Sequence, residues 1–458
     1  MTSGGLESSL EKMRADGAPE VAVETFRHYY ERLASGETGT LAESEIEPVE
    51  ALPLASELPE PGEEGRVALE RAVAIRLNGG LGTSMGMTRA KSLIDAKNGL
   101  TFLDVIVRQV LELRKRHDVR LPLVLMNSFR TREESLAALE RYPELDVGIP
   151  LDFVQGRVPK IRVDDLQPVS WPADPELEWT PPGHGEIYTS LLTSGMLETL
   201  LEHGFEYAFI ANSDNLGALL EPRILAWFAR EELPFAMEAL VRSEADRKGG
   251  HIARRRGGGL VLRETAQVRD EDQAAFEDVS RHRYFNTNNL WINLRTLSEV
   301  LAERDGVLGL PMIVNRKTVD PSDSSSPAVY QLETAMGAAI DVFDGAAAIQ
   351  VERARFAPVK TTNDLLALRS DAYLLCDDAR VELAAERDGR PPFVDLDSKH
   401  YKLLAKFDAH FPNGAPSLVA CERLVVKGDV TFGRDVTIRG SVTIEGDRSI
   451  EDGAVLEG

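Results

Sequence analysis

The chain has 458 residues, 43% of them hydrophobic and 28% charged, enough apolar content for a sizeable core spread over two or three domains. Its formal net charge of -23 excludes an overall attraction to nucleic acid or to an anionic membrane surface, so any anionic ligand must be met by local positive charge. The two cysteines, Cys376 and Cys421, match neither a disulfide framework nor a zinc cluster, the N-terminal "MTSGGLESSLEKMRADG" has no hydrophobic signal core, and no apolar run is long enough to span a bilayer, so the expectation is a cytoplasmic protein.

Residues 7–34 show helical periodicity, with Leu10, Met13, Val21, Val23, Phe26, Tyr30 and Leu33 as core positions. Residues 35–65, rich in Glu, Pro and Gly, read as an extended connector, so residues 1–69 form an N-terminal helical segment with its linker. From about residue 70 the pattern changes. The apolar runs Ala72–Leu77, Leu121–Met126, Tyr207–Ala211, Phe235–Val241 and Ala346–Val351 alternate with the helical segments Phe102–Arg116, Arg132–Arg141, Ile187–His203 and Leu332–Phe343. That alternation predicts an α/β domain over residues 70–375 with a largely parallel central sheet. Residues 249–268 read as a β-hairpin with a glycine turn. In the last part, residues 376–458, Leu424, Val430, Val436 and Val442 fall six apart, and hexapeptide repetition of this kind stacks short strands into a small β-helix, an ordinary hairpin being the alternative.

The stretch "AVAIRLNGGLGTSMGMTRAKS", residues 72–92, places four glycines and then a lysine after an apolar run. Bare backbone of this kind lets N–H groups approach a phosphate or a base with no Cβ in the way, although glycine turns also close tight strand connections. A P-loop requires Gly-Lys-Ser/Thr, and here Ala90 precedes Lys91 and Ser92. A dinucleotide fold requires G-x-G-x-x-G, and Gly80, Gly82 and Gly86 have one residue too many in the second gap.

A third reading accommodates the letters. "LNGGLGTSMG", Lys91 and "NGLTFLD" are followed by "LMNSF" at 125–129, "FVQGRVPKI" at 153–161, "PPGHGEIY" at 181–188, "NSDNLGA" at 212–218, "FNTNNLW" at 285–291, "QLETAMGAAI" at 331–340 and "RFAPVKTTNDLL" at 355–366. In this order the motifs closely resemble the UTP–glucose-1-phosphate uridylyltransferases of the eukaryotic type, from about residue 70 to the end. The resemblance implies a Rossmann-like nucleotidyltransferase domain with N-terminal helices and a small C-terminal β-helix. It implies transfer of UMP from UTP to glucose 1-phosphate, reversibly giving UDP-glucose and pyrophosphate, with Mg2+. The attacking phosphate is already ionised, so the chemistry needs positioning and charge neutralisation rather than an enzyme nucleophile.

By resemblance, Leu77, Asn78, Gly79, Gly80, Gln155 and Gly183 hold the nucleotide, and Lys91 and Lys360 brace the transferring phosphate. Asp214 is then the magnesium ligand, and His184, Asn212, Ser213, Asn288 and Glu333 contact substrate. Each has a plainer reading: Lys91 as a surface cation, Asp214 as a loop cap, Lys360 beside a helix cap, His184 as a structural hydrogen-bonder, Glu333 as an acid at a helix start. The chain departs from plant and animal members in having Arg89-Ala90 where they have Gly-Pro. Octameric relatives continue past "GAVLE" with further strands, so the expectation is a monomer that binds no nucleic acid and no membrane. Two other readings stay open: a uridylyltransferase with relaxed sugar-1-phosphate specificity, and a catalytically silent UDP-sugar sensor.

Overall fold

The structure is a computed structural model that describes residues 2–458. Two helices lead in, α1 (Thr2–Ala15) and α2 (Glu20–Ala34), followed by a short strand β1 (Ile46–Pro48) and α3 (Gly62–Glu70). Then come β2 (Ala72–Asn78), α4 (Phe102–His117), β3 (Leu123–Asn127), α5 (Arg132–Leu139), β4 (Asp152–Val154), α6 (Ile187–Thr193), α7 (Met196–Glu202), β5 (Tyr207–Asn212) and α8 (Pro222–Arg230). The domain continues with β6 (Phe235–Val241), the hairpin β7 (His251–Arg255) and β8 (Leu260–Arg263), β9 (Tyr284–Asn293), α9 (Leu294–Glu303), β10 (Met312–Thr318), β11 (Ala328–Thr334), β12 (Ala347–Gln350) and α10 (Thr362–Arg369).

Ten strands make one sheet in the order β1-β7-β9-β5-β2-β3-β4, with β6 pairing β9 and β12, and β8 pairing β7. The ladders β5·β2, β2·β3, β3·β4 and β6·β12 are parallel. From β9 outward the pairing turns antiparallel, to β5, β6 and β7 alike. The sheet is therefore mixed rather than largely parallel. An apolar run reports that a strand is buried, whereas its direction depends on the path of the connection before it.

Side chains of β2 alternate between the faces: Ala72 and Ala74 join the cluster holding α4 and α8, Val73 and Ile75 the cluster holding α6, α7 and α9. Local chemistry delimits the helices. Thr101 accepts the Asp104 N–H (3.1 Å) while the Asp104 carboxylate accepts the Thr101 N–H (2.9 Å), a reciprocal cap that starts α4. The helix expected over 187–203 breaks into α6 and α7 at Gly195, which takes φ +74. The helix expected over 332–343 is instead the end of β11, paired with β10 (Ile313 opposite Glu333), followed by a 3-10 turn over Met336–Asp341. Tertiary pairing overrides local preference there. A Cβ on Gly337 would sit 2.8 Å from Leu262 and 2.9 Å from Met237, so this turn lies tightly against the core.

The connector expected over 35–65 is more ordered than its composition suggests, because β1 adds to the sheet edge beside β7 and α3 packs on α8. Leu10, Met13, Val23, Phe26 and Tyr30 are buried as expected, against Val158, Ile161, Met312 and Leu332, while Val21 and Leu33 are half-buried. The hairpin Tyr373–Leu375 with Val381–Leu383 crosses the boundary expected at 375. Beyond it lie β13 (Phe393–Leu396), the short helices α11 (Ser398–Tyr401) and α12 (Leu404–His410), and β14 (Cys421–Lys427), β15 (Val430–Phe432), β16 (Thr437–Glu445), β17 (Arg448–Ile450) and β18 (Val455–Glu457). These last strands stack in parallel: Leu424 opposes Val442, Val430 opposes Arg448 and Ile438 opposes Leu456. Lys427 pairs with Glu445 and Arg439 with Glu457, each 18 residues on, so one layer equals three of the six-residue periods.

Candidate active site

The carboxyl ends of β2, β3 and β5 open onto a cavity of about 350 Å3, the edge at which open α/β sheets hold ligands. Asn78 ends β2 buried, its amide donating to Asn127 Oδ1 (2.8 Å) and Ser135 Oγ (2.8 Å). That tether fixes the strand end and leaves the backbone of Gly79 and Gly80 as the lip. A Cβ on Gly79 would lie 2.8 Å from Gln155 Oε1, so the glutamine amide rests directly on bare backbone. The Gln155 N–H is itself held by the Asn127 carbonyl at 2.8 Å. Across the cavity, the Ser213 N–H and hydroxyl both donate to the Leu77 carbonyl, at 3.1 and 2.8 Å, joining the ends of β2 and β5.

The glycine loop folds back on itself. Leu81 bridges Ala90, Gly86 takes φ +73, and the Lys91 N–H donates to the Gly80 carbonyl at 3.1 Å. Lys91 thus returns to the lip it left eleven residues earlier and puts its ammonium 2.6 Å from Asp214 Oδ2. The other oxygen, Asp214 Oδ1, is buried with no hydrogen-bond partner, as is Oγ of Ser92, another residue of the cavity lining. An orphaned, buried carboxylate oxygen on a residue of the cavity wall fits a hard divalent cation.

His184 and Gly183 close the far wall. A Cβ on Gly183, which takes φ +83, would stand 2.4 Å from the Thr334 carbonyl, so only glycine passes here. The Met336 N–H donates to His184 Nδ1 at 2.9 Å. Nδ1 therefore carries no proton, and the neutral ring keeps its N–H at Nε2. Burial pushes the pKa of this imidazole down to about 4. His184 is thereby a fixed hydrogen-bond donor in the cavity wall, held as the structural reading expects.

The sequence-derived candidates Leu77, Asn78, Gly79, Gly80, Lys91, Gln155, Gly183, His184, Asn212, Ser213 and Asp214 all line this cavity. Asn288, Glu333 and Lys360 stand outside its lining. Glu333 lies on β11 rather than at a helix start, behind Gly183, facing a second cavity lined by α2, α6 and β11. Asn288 holds a left-handed φ of +59, in reciprocal bonds with Asn286: Asn286 Nδ2 donates to Asn288 Oδ1 and the Asn288 N–H to Asn286 Oδ1, both 2.8 Å. Lys360 follows a segment stitched to the Asp214 loop, where the Val359 N–H donates to the Asp214 carbonyl (3.0 Å) and the Ala357 N–H to Asn215 Oδ1 (2.9 Å). The cap of α10 is made by Thr361 and Asp364, with the Lys360 N–H also on Asp364; the Lys360 ammonium takes no part in it.

Sequence reasoning missed what holds that segment. Glu238, fully buried on β6, accepts from Arg355 Nη2 (2.6 Å) and Nε (2.8 Å), Trp291 Nε1 (3.1 Å) and Asn289 Nδ2 (3.0 Å). Its signal was a lone acid inside the apolar run Phe235–Val241. Glu264 was also missed. Burial pushes its carboxyl up, against the opposing pull of Asn286 and of the Lys360 charge.

The family model described as UTP–glucose-1-phosphate uridylyltransferase matches residues 23–439. A protein of that name from Musa acuminata is 41% identical over 379 residues, covering 82% of this chain and 79% of its own, and a probable one from Schizosaccharomyces pombe is 38% identical over 379 residues, covering 82% and 73%. Among solved structures, UDP-glucose phosphorylase from Trypanosoma brucei matches with a TM-score of 0.91 at 46% identity over 99% of this chain and 98% of that one. A mutant of UDP-glucose pyrophosphorylase from Leishmania major, solved in complex with UDP-glucose, matches with a TM-score of 0.93 at 44% identity, again over 99% and 98%. With fold, motif order and nearly the full length in agreement, the chain belongs to the UTP–glucose-1-phosphate uridylyltransferase family of nucleotidyltransferases.

Proposed function

We propose that the cavity between β2, β3 and β5 carries out magnesium-dependent transfer of UMP from UTP to glucose 1-phosphate, reversibly forming UDP-glucose and pyrophosphate by in-line attack. The observation that carries this reading is the Lys91–Asp214 pair with its second carboxylate oxygen unpartnered. Asp214 Oδ1 would hold Mg2+, which when bound supplies shielding of phosphate charge. The rest of the work falls to the chain's own residues. The bare backbone at Gly79 and Gly80 with Gln155 over it seats the nucleotide, Lys91 neutralises phosphate from the loop side, and Lys360 does so from the 355–360 segment. His184 donates from Nε2 and takes no proton, in keeping with an attacking phosphate that needs no base. Asn212 and Asn288 offer donors and acceptors suited to sugar hydroxyls.

The parallel ladders β5·β2·β3·β4 with helices on both faces support a Rossmann-like reading of the core, and the 18-residue layers of β14–β18 support a short β-helix. Free cysteines at 376 and 421 support a reducing, cytoplasmic setting. The net charge of -23 supports a monomer, since like-charged copies repel.

The test is pyrophosphate release from UTP with a panel of sugar 1-phosphates. Turnover strongly favouring glucose 1-phosphate over its galactose and N-acetylglucosamine analogues is expected. Equal turnover of the sugars removes the glucose assignment, and no release with any of them leaves a UDP-sugar sensor.

A further inference from the structure

Outside the cavity, among the described residues, a cluster of metal-ligating side chains joins the short helices α11 and α12 to the C-terminal strand stack. His400 on α11, His410 at the end of α12 and Asp429 in the turn between β14 and β15 bring their ligand atoms within 4.8 Å of one another. His410 Nε2 lies 2.8 Å from Asp429 Oδ1, and His400 Nδ1 lies 3.6 Å from Asp429 Oδ2. In a tetrahedral zinc site with metal–nitrogen bonds of about 2.0–2.1 Å, neighbouring ligand atoms stand roughly 3.3 Å apart. The two spacings bracket that value.

The hydrogen bonds sharpen the case. His410 Nδ1 lies 2.6 Å from the Lys406 carbonyl, which can only accept, so Nδ1 carries a proton. In the neutral ring, the lone pair of Nε2 then faces a carboxylate oxygen, and two acceptors at 2.8 Å require a cation or a proton between them. A histidine oriented through its second nitrogen by a backbone carbonyl is the arrangement of a metal ligand. Asp429 is itself positioned, its N–H donating to Asp447 Oδ1 at 2.8 Å. The histidines are largely covered, at 19% and 12% side-chain exposure, while Asp429 is 53% exposed, which leaves a solvent side for a fourth ligand. Lys399 is the nearby competing cation, one of the groups that hold the Asp429 carboxyl below its usual range after the His410 hydrogen bond.

We propose that His400, His410 and Asp429 form a site for a divalent first-row transition metal of the zinc type, separate in place and chemistry from the magnesium position. Two imidazoles and a carboxylate suit zinc or cobalt, whereas magnesium takes oxygen ligands. The site has a route to the nucleotide loop. Leu403, between α11 and α12, lies over Gly86, where an added Cβ would meet it at 2.7 Å. A metal that ties α11 and α12 to the β14–β15 turn fixes the pair of helices that presents Leu403 to the loop.

The full-length protein, stripped with a chelator and returned to excess magnesium, is titrated with cobalt and, separately, dialysed against zinc. One equivalent of zinc retained per chain is expected, with a visible cobalt band of tetrahedral type. His400→Ala and His410→Ala should each lose the band and weaken zinc binding by more than the roughly 10–100-fold that removing an outer-shell partner costs. Because His410→Ala also removes packing against Tyr401, His410→Gln provides a milder variant and pyrophosphate release reports that each variant is folded. The proposal is overturned if the wild-type protein retains no zinc in excess magnesium, or if the His400→Ala and His410→Gln proteins bind it as the wild type does.

Discussion

Lys91 shows how one residue acquires a partner that no local rule supplies. Its charge is held 2.6 Å from Asp214, at a carboxylate whose other oxygen is buried and unpaired, so removing the lysine takes away the cation paired with that carboxylate. Lys91→Ala and Lys360→Ala are each expected to lower turnover by about 10²–10³-fold, the loss typical of one preorganised charge-stabilising donor. An unimpaired Lys360→Ala enzyme would return that residue to the helix start. Two titratable groups near Gly183, the buried Glu186 and the half-buried His184, predict opposite pH trends. Burial pushes Glu186 up to about 7, so the folded state keeps a proton that the unfolded chain loses near 4.5; this stability is present below 4.5 and lost as pH rises through 7. His184, lowered from 6.5 to about 4, contributes stability above 6.5 that is lost as pH falls towards 4. In urea denaturation, Glu186→Gln should gain on the wild type steadily from pH 4.5 to 7, and His184→Gln should flatten the acid side. A Glu186→Gln difference that does not change with pH would show that its carboxyl titrates normally.

At the scale of elements, the site depends on how the 355–360 segment is held against the β5 loop. Glu238 on β6 is wholly buried, and Arg355 binds it through two nitrogens. Removing one partner of such a pair leaves an uncompensated buried charge, at a cost of about 3–5 kcal/mol. Glu238→Gln is therefore expected to lower the melting temperature markedly. At temperatures where it remains folded, turnover should fall as well, because Lys360 sits five residues past the released Arg355. Normal turnover in the folded variant would show that the Asn215 and Val359 bonds hold the lysine without help. The short span from Val359 N–H to the Asp214 carbonyl makes this coupling direct.

For the whole molecule, the acidic surface and the local cations set the expectations. Chelation of magnesium should abolish pyrophosphate release and its return should restore it; activity that persists in chelator would detach Asp214 from a metal role. Light scattering after size exclusion is expected to give the mass of a single chain, since a net charge of -23 opposes self-association. A mass of several chains would reveal an apolar contact strong enough to outweigh that repulsion.

The sequence by itself determined the parts whose physics is local. Apolar runs of strand length became β2, β3, β5 and β6, the glycines before Lys91 became the lip of the cavity, and the six-residue period in 424–442 became layers of 18 residues. Motif order carried the family, and with it most of the cavity wall, because the motifs that line the cavity are short turns at or near strand ends. The tertiary structure alone decided what depends on long-range geometry. It turned β9 antiparallel, made β11 a strand where periodicity read a helix, drew β1 out of an acidic connector into the sheet, and left Glu333 behind the cavity rather than in it. It also brought Lys91 to Asp214 across 123 residues and His410 to Asp429 across 19. The reason is physical: periodicity and turn chemistry act within one element, while strand direction and the pairing of buried charges are settled by which surfaces can be packed and desolvated together.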